Sequence, residues 1–172
     1  MCAGTPGRFR FDRRCCRSQR RDISALPADG TAIINADDRF CDYWREISSG
    51  RNKITFGLNP ETADVYATKI EGKALGCGTT FSFHYGEESR KITIPHDGLH
   101  NVLNALAAGA GALGLGCSLD QIANGLAQSE IVSGRLNFHR LKQNVQLIDD
   151  TYNANPSSLM APVNVAANSG CE

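Results

Sequence analysis

The 172 residues suffice for one domain or for parts of two, and 41% apolar against 21% charged residues is the balance of an ordinary globular protein. A formal net charge of zero hides an asymmetry: residues 1–21 carry seven arginines against Asp12 alone, and the remainder carries a matching acidic excess. No apolar run approaches the roughly 20 residues of a membrane span, and seven cysteines without C-x-x-C or zinc-like Cys–His spacing argue against a metal site or a disulfide framework, leaving reduced thiols as the expectation.

In chain order, residues 1–21 show neither helical nor strand period. They are read as an unstructured leader or as codons read out of frame. An Arg-rich nucleic-acid-binding arm and a mitochondrial presequence are the alternatives. From Ile23 the texture changes. Leu26–Gly30 is a turn, and Thr31–Asn35 is a short apolar run read as a buried strand. Asp37 and Asp38 are expected to cap a helix running through Ile47, which Ser48-Ser49-Gly50 ends. Lys53–Gly57 follows as a second strand, and this strand–helix–strand order predicts an α/β layer with parallel pairing.

Val65–Ile70 alternates. Thr79–Tyr85 places Phe81, Phe83 and Tyr85 on one face, and Lys91–Ile94 returns with Ile92 and Ile94 after a turn at Gly86–Ser89. The pattern predicts a half-buried antiparallel hairpin that Pro95 ends. His84 and His96 are expected at its surface. Leu103, Leu106, Ala107, Ala110 and Leu113 recur at helical spacing, and Gly114 and Gly116 stop that helix. Ser118 and Gln121 form an S-x-x-Q capping box for a second helix carrying Leu119, Ile122 and Leu126. Leu136–His139 and Val145–Ile148 read as paired strands. A polar loop, Asp149–Pro156, leads to a helix opened by Ser157 or Ser158 and ending near Asn168.

Three clusters can carry chemistry. His100, Asn101 and Asn104 sit in the first turn of the strong helix, where an imidazole and two carboxamides can bond the edge of a nucleobase or merely cap the joint. Arg135, after Gly134, can fork onto a phosphate or ribose oxygen or stand as a surface charge. Asp149–Pro156 is a polar loop at the carboxyl end of a strand, where α/β sheets place ligands, although Asp and Asn also favour plain turns. Gly76-Cys77-Gly78 has no helix after it and is no dinucleotide fingerprint.

Together these clusters resemble the Mur ligases, the ATP-dependent amide ligases of peptidoglycan precursor synthesis. The stretches that carry the likeness are Leu26–Asp38, Gly98–Ala108, Ser133–Leu136 and Asp149–Pro156, within residues 22–168. The last is similar to the branch that joins D-alanyl-D-alanine to UDP-N-acetylmuramoyl-tripeptide. The resemblance implies the second half of a central ATPase domain over 22–133 (sheet, antiparallel hairpin, helical pair) and the start of a Rossmann-like C-terminal domain over 134–172. It implies ATP and Mg²⁺ as cofactors, those two substrates as partners and a cytoplasmic location. It brings His100, Asn101, Asn104, Arg135 and Asp150 to ATP, and Tyr152, Asn153 and Asn155 to the substrate cleft. A folylpolyglutamate-synthase-like ligase, and a non-catalytic piece with a nucleic-acid-binding tail, are the competing readings.

The sequence departs from the family at its start. It contains no G-x-x-x-x-G-K-[ST] phosphate loop, and the family's modified lysine has no counterpart, since Ser18-Gln19-Arg20-Arg21 stand where it belongs and Lys53 is the first lysine. The expectation is a partial or broken gene whose product is catalytically inactive alone. Half of a central domain leaves sheet edge and core exposed. Heating is therefore expected to give a broad transition or aggregation, and a sharp cooperative transition of a monomer in calorimetry would contradict this.

Overall fold

Alternation in the run Thr31–Asn35 turns Ala32 and Ile34 to one side and Ile33 to the other, and both sides are covered. The computed structural model describes residues 23, 25–72, 76–130, 132, 134, 136–142, 145–152 and 159–168. The Arg-rich segment 1–21, Arg135, Asn153, Asn155, Ser157 and Ser158 lie outside the described residues.

Strand β1 (Thr31–Asn35) pairs in parallel with β2 (Asn52–Gly57), Ile33 opposite Ile54. Helix α1 (Cys41–Ile47) connects them and packs Cys41 and Trp44 on Ala32 and Ile34. Asp37 and Asp38 do not cap α1 as expected. Phe40 stands at the cap with no side-chain bond. Asp38 Oδ1 instead accepts from the Phe40 N–H (2.9 Å), and Asp37 Oδ2 accepts from the Leu58 N–H (2.8 Å), so the two carboxylates shape the turn and tie it to the end of β2.

Strand β3 (Val65–Gly72) is parallel to β2 over two residue pairs only, Phe56–Val65 and Gly57–Tyr66. A full crossover needs a dozen or more residues, so the short link 58–64 lets β3 start where β2 ends. Asp64 fastens that link: its Oδ2 accepts from the Thr55 N–H (2.8 Å) and hydroxyl (2.7 Å). Strands β4 (Thr79–Tyr85) and β5 (Glu88–Ile94) complete a five-stranded sheet in chain order, with the last two pairings antiparallel. Phe81, Phe83, Ile92 and Ile94 are buried as the alternation requires, whereas Tyr85, at the turn, is 38% exposed.

Two helices cover that face. Helix α2 (Leu99–Gly114) buries Val102, Ala105, Leu106 and Ala110, and α3 (Leu119–Ala127) buries Leu119 and Ile122. Gly116, at φ +85°, takes the left-handed conformation that ends α2. The capping box forms as its spacing predicts: Gln121 N–H donates to Ser118 Oγ (3.3 Å) and Ser118 N–H to Gln121 Oε1 (2.8 Å). Beyond these, β6 (Asn137–Arg140) and β7 (Gln146–Asp149) form a separate antiparallel pair, followed by α4 (Met160–Asn168). Among the described residues no helix is long and apolar enough to cross a membrane.

Two glycines of α2 make opposite predictions. A Cβ on Gly109 would lie 2.5 Å from the Phe83 ring, while one on Gly111 would meet nothing within 4 Å. Gly111→Ala should raise stability by about 0.5–1 kcal/mol through helix propensity. Gly109→Ala should lower it by about 1–3 kcal/mol, because the ring or the helix must move. Denaturation midpoints of both variants check the pair.

Candidate nucleotide site

The direction of α2 sets the place of its first turn. A Cβ on Gly114 would sit 3.3 Å from Thr31 and 3.7 Å from Ile33, so the helix ends beside β1. A helix running antiparallel to β1 from there would carry Asn104, ~15 Å back along its axis, toward the carboxyl end of the strands. That edge is where open α/β sheets bind ligands.

The corner is built on Gly98 and Asp97. Gly98 has φ +93°, and a Cβ there would come within 2.9 Å of His100 Cε1 and 3.0 Å of Val165 Cγ2 on α4, so both backbone and space require glycine. Asp97 is 8% exposed. Its carboxylate accepts from the Gly76 N–H (2.5 Å) and the Gly78 N–H (2.7 Å), which fastens the loop between β3 and β4 to the entry of α2. Its carbonyl accepts from Asn101 Nδ2 (2.9 Å), and Asn101 Oδ1 accepts in turn from Asn104 Nδ2 (3.4 Å). Part of the local capping expected of these amides is therefore present, and Asn104 remains exposed at the end of the chain of bonds.

The end of β7 comes to the same corner. Asp150 Oδ1 accepts from the Leu136 N–H (3.3 Å), and the Tyr152 N–H donates to the Gly134 carbonyl (2.9 Å). These two bonds hold the described flanks of the Gly134–Leu136 turn against the start of the Asp150 loop. Burial pushes the His100 imidazole below its ordinary pKa, the Asp150 carboxylate draws it back up, and His96 lowers it further. Asp150 and His100 are thus within electrostatic reach, although 50 residues apart in sequence.

Of the eight residues expected at the site, His100, Asn101, Asn104 and Asp150 gather here. Tyr152 follows Asp150 with a largely exposed side chain (63%). Arg135, Asn153 and Asn155 fall outside the described residues. Two contributors were missed in the sequence. His96 is not a plain hairpin-surface residue: it is partly buried and its Nε2 lies 3.1 Å from Ser129 Oγ, with burial the chief cause of its lowered pKa. Asp97 left no local signal, since the N–H groups it gathers belong to Gly76 and Gly78, 21 and 19 residues earlier. His84, by contrast, lies on the outer face of the sheet, stacked on Tyr66 (4.7 Å between centroids) and 2.8 Å from Thr68 Oγ1.

Both depressed imidazoles bind protons less readily in the fold than in the unfolded chain. Their contribution therefore makes stability rise with pH up to the unfolded value near 6.5, and lowers it as pH falls through that value. Asp150→Asn removes the charge that, among the described residues, raises the His100 pKa, so the NMR titration of that imidazole should move to still lower pH. An unchanged titration would place Asp150 out of reach of His100.

The Mur ligase middle domain matches residues 19–112, more than half of the chain. The UDP-N-acetylmuramoyl-tripeptide–D-alanyl-D-alanine ligase of Escherichia coli K12 is 39% identical over 145 residues, 84% of this chain and 32% of that protein. The enzyme of the same name from Haemophilus influenzae is 38% identical over 141 residues, 81% of this chain and 29% of its own. A crystal structure of MurF from Acinetobacter baumannii superposes with a TM-score of 0.79 at 40% identity, over 88% of this chain and 32% of that one. A MurF ligase from Thermotoga maritima in complex with ADP gives 0.71 at 25% identity, over 89% and 34%. The chain thus spans about a third of the length of the relatives it matches. On the match to the middle domain and on this fold, the chain belongs to the Mur ligase family.

Proposed function

We propose that this chain supplies the adenine-nucleotide corner of an ATP-dependent amide ligase that joins D-alanyl-D-alanine to UDP-N-acetylmuramoyl-tripeptide in the cytoplasm. In that reaction the γ-phosphoryl group of ATP passes to the terminal carboxylate of the tripeptide. The dipeptide amine then attacks the acyl phosphate, forms the amide bond and releases phosphate. Residues 22–133 are assigned to the central domain, and residues 134–172 to the start of the next.

The observation that carries this reading is the meeting of two distant segments at one corner: the first two turns of α2, with His100, Asn101 and Asn104, and the end of β7, with Asp150. Carboxamides offer a base both a donor and an acceptor. An imidazole kept neutral adds a flat face and a further polar atom without repelling a cation. Asp150 and Tyr152 stand on the side of that corner assigned to nucleotide and substrate, and Arg135 would meet ribose or phosphate. The names of the relatives support the substrates, and the ADP of the Thermotoga maritima structure supports the nucleotide.

The donors for phosphate and metal are a different matter. The sequence holds no phosphate loop. Among the described residues no three His, Cys, Asp or Glu side chains gather as a metal site. Mg²⁺, which ordinarily takes one or two carboxylates together with the phosphates of its nucleotide, stays an expectation of the resemblance, and no step is routed through it. Positioning and charge stabilisation of the transferring phosphoryl group supply most of the catalysis in such reactions. The part assigned here to the described residues is to hold the base.

Calorimetric titration with ATP tests the reading. The chain should bind ATP, and Asn104→Ala, on an exposed position that leaves the core untouched, should weaken binding roughly tenfold, the loss of one or two hydrogen bonds. ADP formation dependent on both UDP-N-acetylmuramoyl-tripeptide and D-alanyl-D-alanine should stay at background with this chain alone. Absence of ATP binding, or binding indifferent to Asn104, would overturn the proposal.

A further inference from the structure

The amide-to-amide chain of bonds at the start of α2 has a direction. A main-chain carbonyl can only accept, so the Asn101 atom facing the Asp97 carbonyl must be Nδ2. Asn101 Oδ1 then faces Asn104, and the Asn104 atom turned toward it must be Nδ2. The anchor is itself held. Asp97 is buried, and both of its carboxylate oxygens accept backbone N–H groups of Gly76 and Gly78. Neither glycine can readily take a side chain: a Cβ on Gly78 would strike the Ile94 carbonyl, and one on Gly76 would come within 3.3 Å of Phe138.

An exposed carboxamide ordinarily turns over to suit whichever base approaches. Here turning Asn104 over would set its Oδ1 against Asn101 Oδ1, two acceptors face to face. The orientation that remains leaves Asn104 Oδ1 and its second N–H for a ligand. An acceptor beside a donor matches adenine, whose N6 amino group donates and whose neighbouring ring nitrogen accepts. On the two edges that flank position 6, guanine offers either two acceptors (O6 and N7) or a carbonyl beside an N–H (O6 and N1), and the latter suits the carboxamide only in the opposite sense.

We propose that Asp97 and Asn101 are positioning residues that lock the Asn104 carboxamide in the orientation that selects adenine over guanine. Asp97 needs no contact with the nucleotide. It acts by holding its own carbonyl in place for Asn101. This inference rests on the nucleotide reading above and adds to it the residues that set base specificity.

The test is the ratio of affinities for ATP and GTP, measured by titration of the full chain and of Asn101→Leu and Asp97→Ala. The unmutated chain should prefer ATP by at least about fivefold, the low end of what a bidentate base contact discriminates. In both variants the ratio should fall toward one, through a relative gain of GTP, while Asn104 is still present. A merely structural role would weaken both nucleotides alike and leave the ratio intact, and that result would overturn the proposal. If a variant does not fold, the unmutated chain still decides. One Asn101 side-chain amide proton should exchange slowly and appear downfield in NMR spectra, and an amide with free-solvent shifts and exchange would overturn the lock. Binding of ATP and GTP with equal affinity contradicts this inference alone, whereas failure to bind either contradicts the nucleotide reading as well.

Discussion

Two buried or half-buried carboxylates hold the corner on which this structure depends. Asp97 gathers the Gly76 and Gly78 N–H groups, and Asp150 takes the Leu136 N–H while its charge reaches His100. Hydrogen bonds from backbone N–H groups to an ionised acceptor are among the stronger ones in a protein, and an acceptor buried without them would be costly. The Asp97 bonds fix the loop between β3 and β4 to the start of α2, and the Asp150 bond fixes the end of β7 to Leu136; the two parts meet where Gly98 lies beside Val165 and Gly76 beside Phe138. Without these bonds and contacts the segments would be three separate polar turns.

The core serves that corner. Phe81, Phe83, Ile92 and Ile94 on the sheet and Val102, Leu106 and Ala110 on α2 fix the axis of the helix, and with it the place of Asn104. Gly109 lets the helix come close to the Phe83 ring, and Gly98 lets the chain turn into the helix beside His100 and Val165. Packing sets the position of the polar groups, and the polar groups set what the site can recognise. The exposed apolar side chains Leu141, Val145, Leu147, Met160 and Val163 all lie on β6, β7, α4 and their joints, so this part of the chain buries much less of its apolar surface than the sheet and α2.

Much of this was legible in the residues. Strict alternation at Phe81–Tyr85 and Ile92–Ile94 announced the hairpin, and Ser118 with Gln121 announced the start of α3. The stripe of α2 was read correctly at its centre, where Leu106 and Ala110 are buried, but its edge was misjudged: Val102 and Ala105 are buried, while Leu103 and Leu113 are only partly so. Periodicity finds a helix more reliably than the angle at which it meets a sheet. The role of Asp37 and Asp38 was misread because the partner of Asp37, the Leu58 N–H, comes from the neighbouring strand end and has no local signature. For the same reason His96 passed for a surface residue: Ser129, which covers it, is 33 residues away. At the site, the residue types suggested recognition of a base, but only the geometry shows Asn101 engaged with Asp97 and Asn104 left exposed.

On the proposed reading, the start of α2 and the end of β7 form one binding surface for a nucleotide. Amide NMR spectra of the labelled chain, recorded while ATP is added, test it most directly. Resonances of His100, Asn101 and Asn104 should shift together with those of Asp150 and Tyr152, and all should saturate along a single binding curve. Shifts confined to one of the two segments, or two segments saturating at different concentrations, would contradict it.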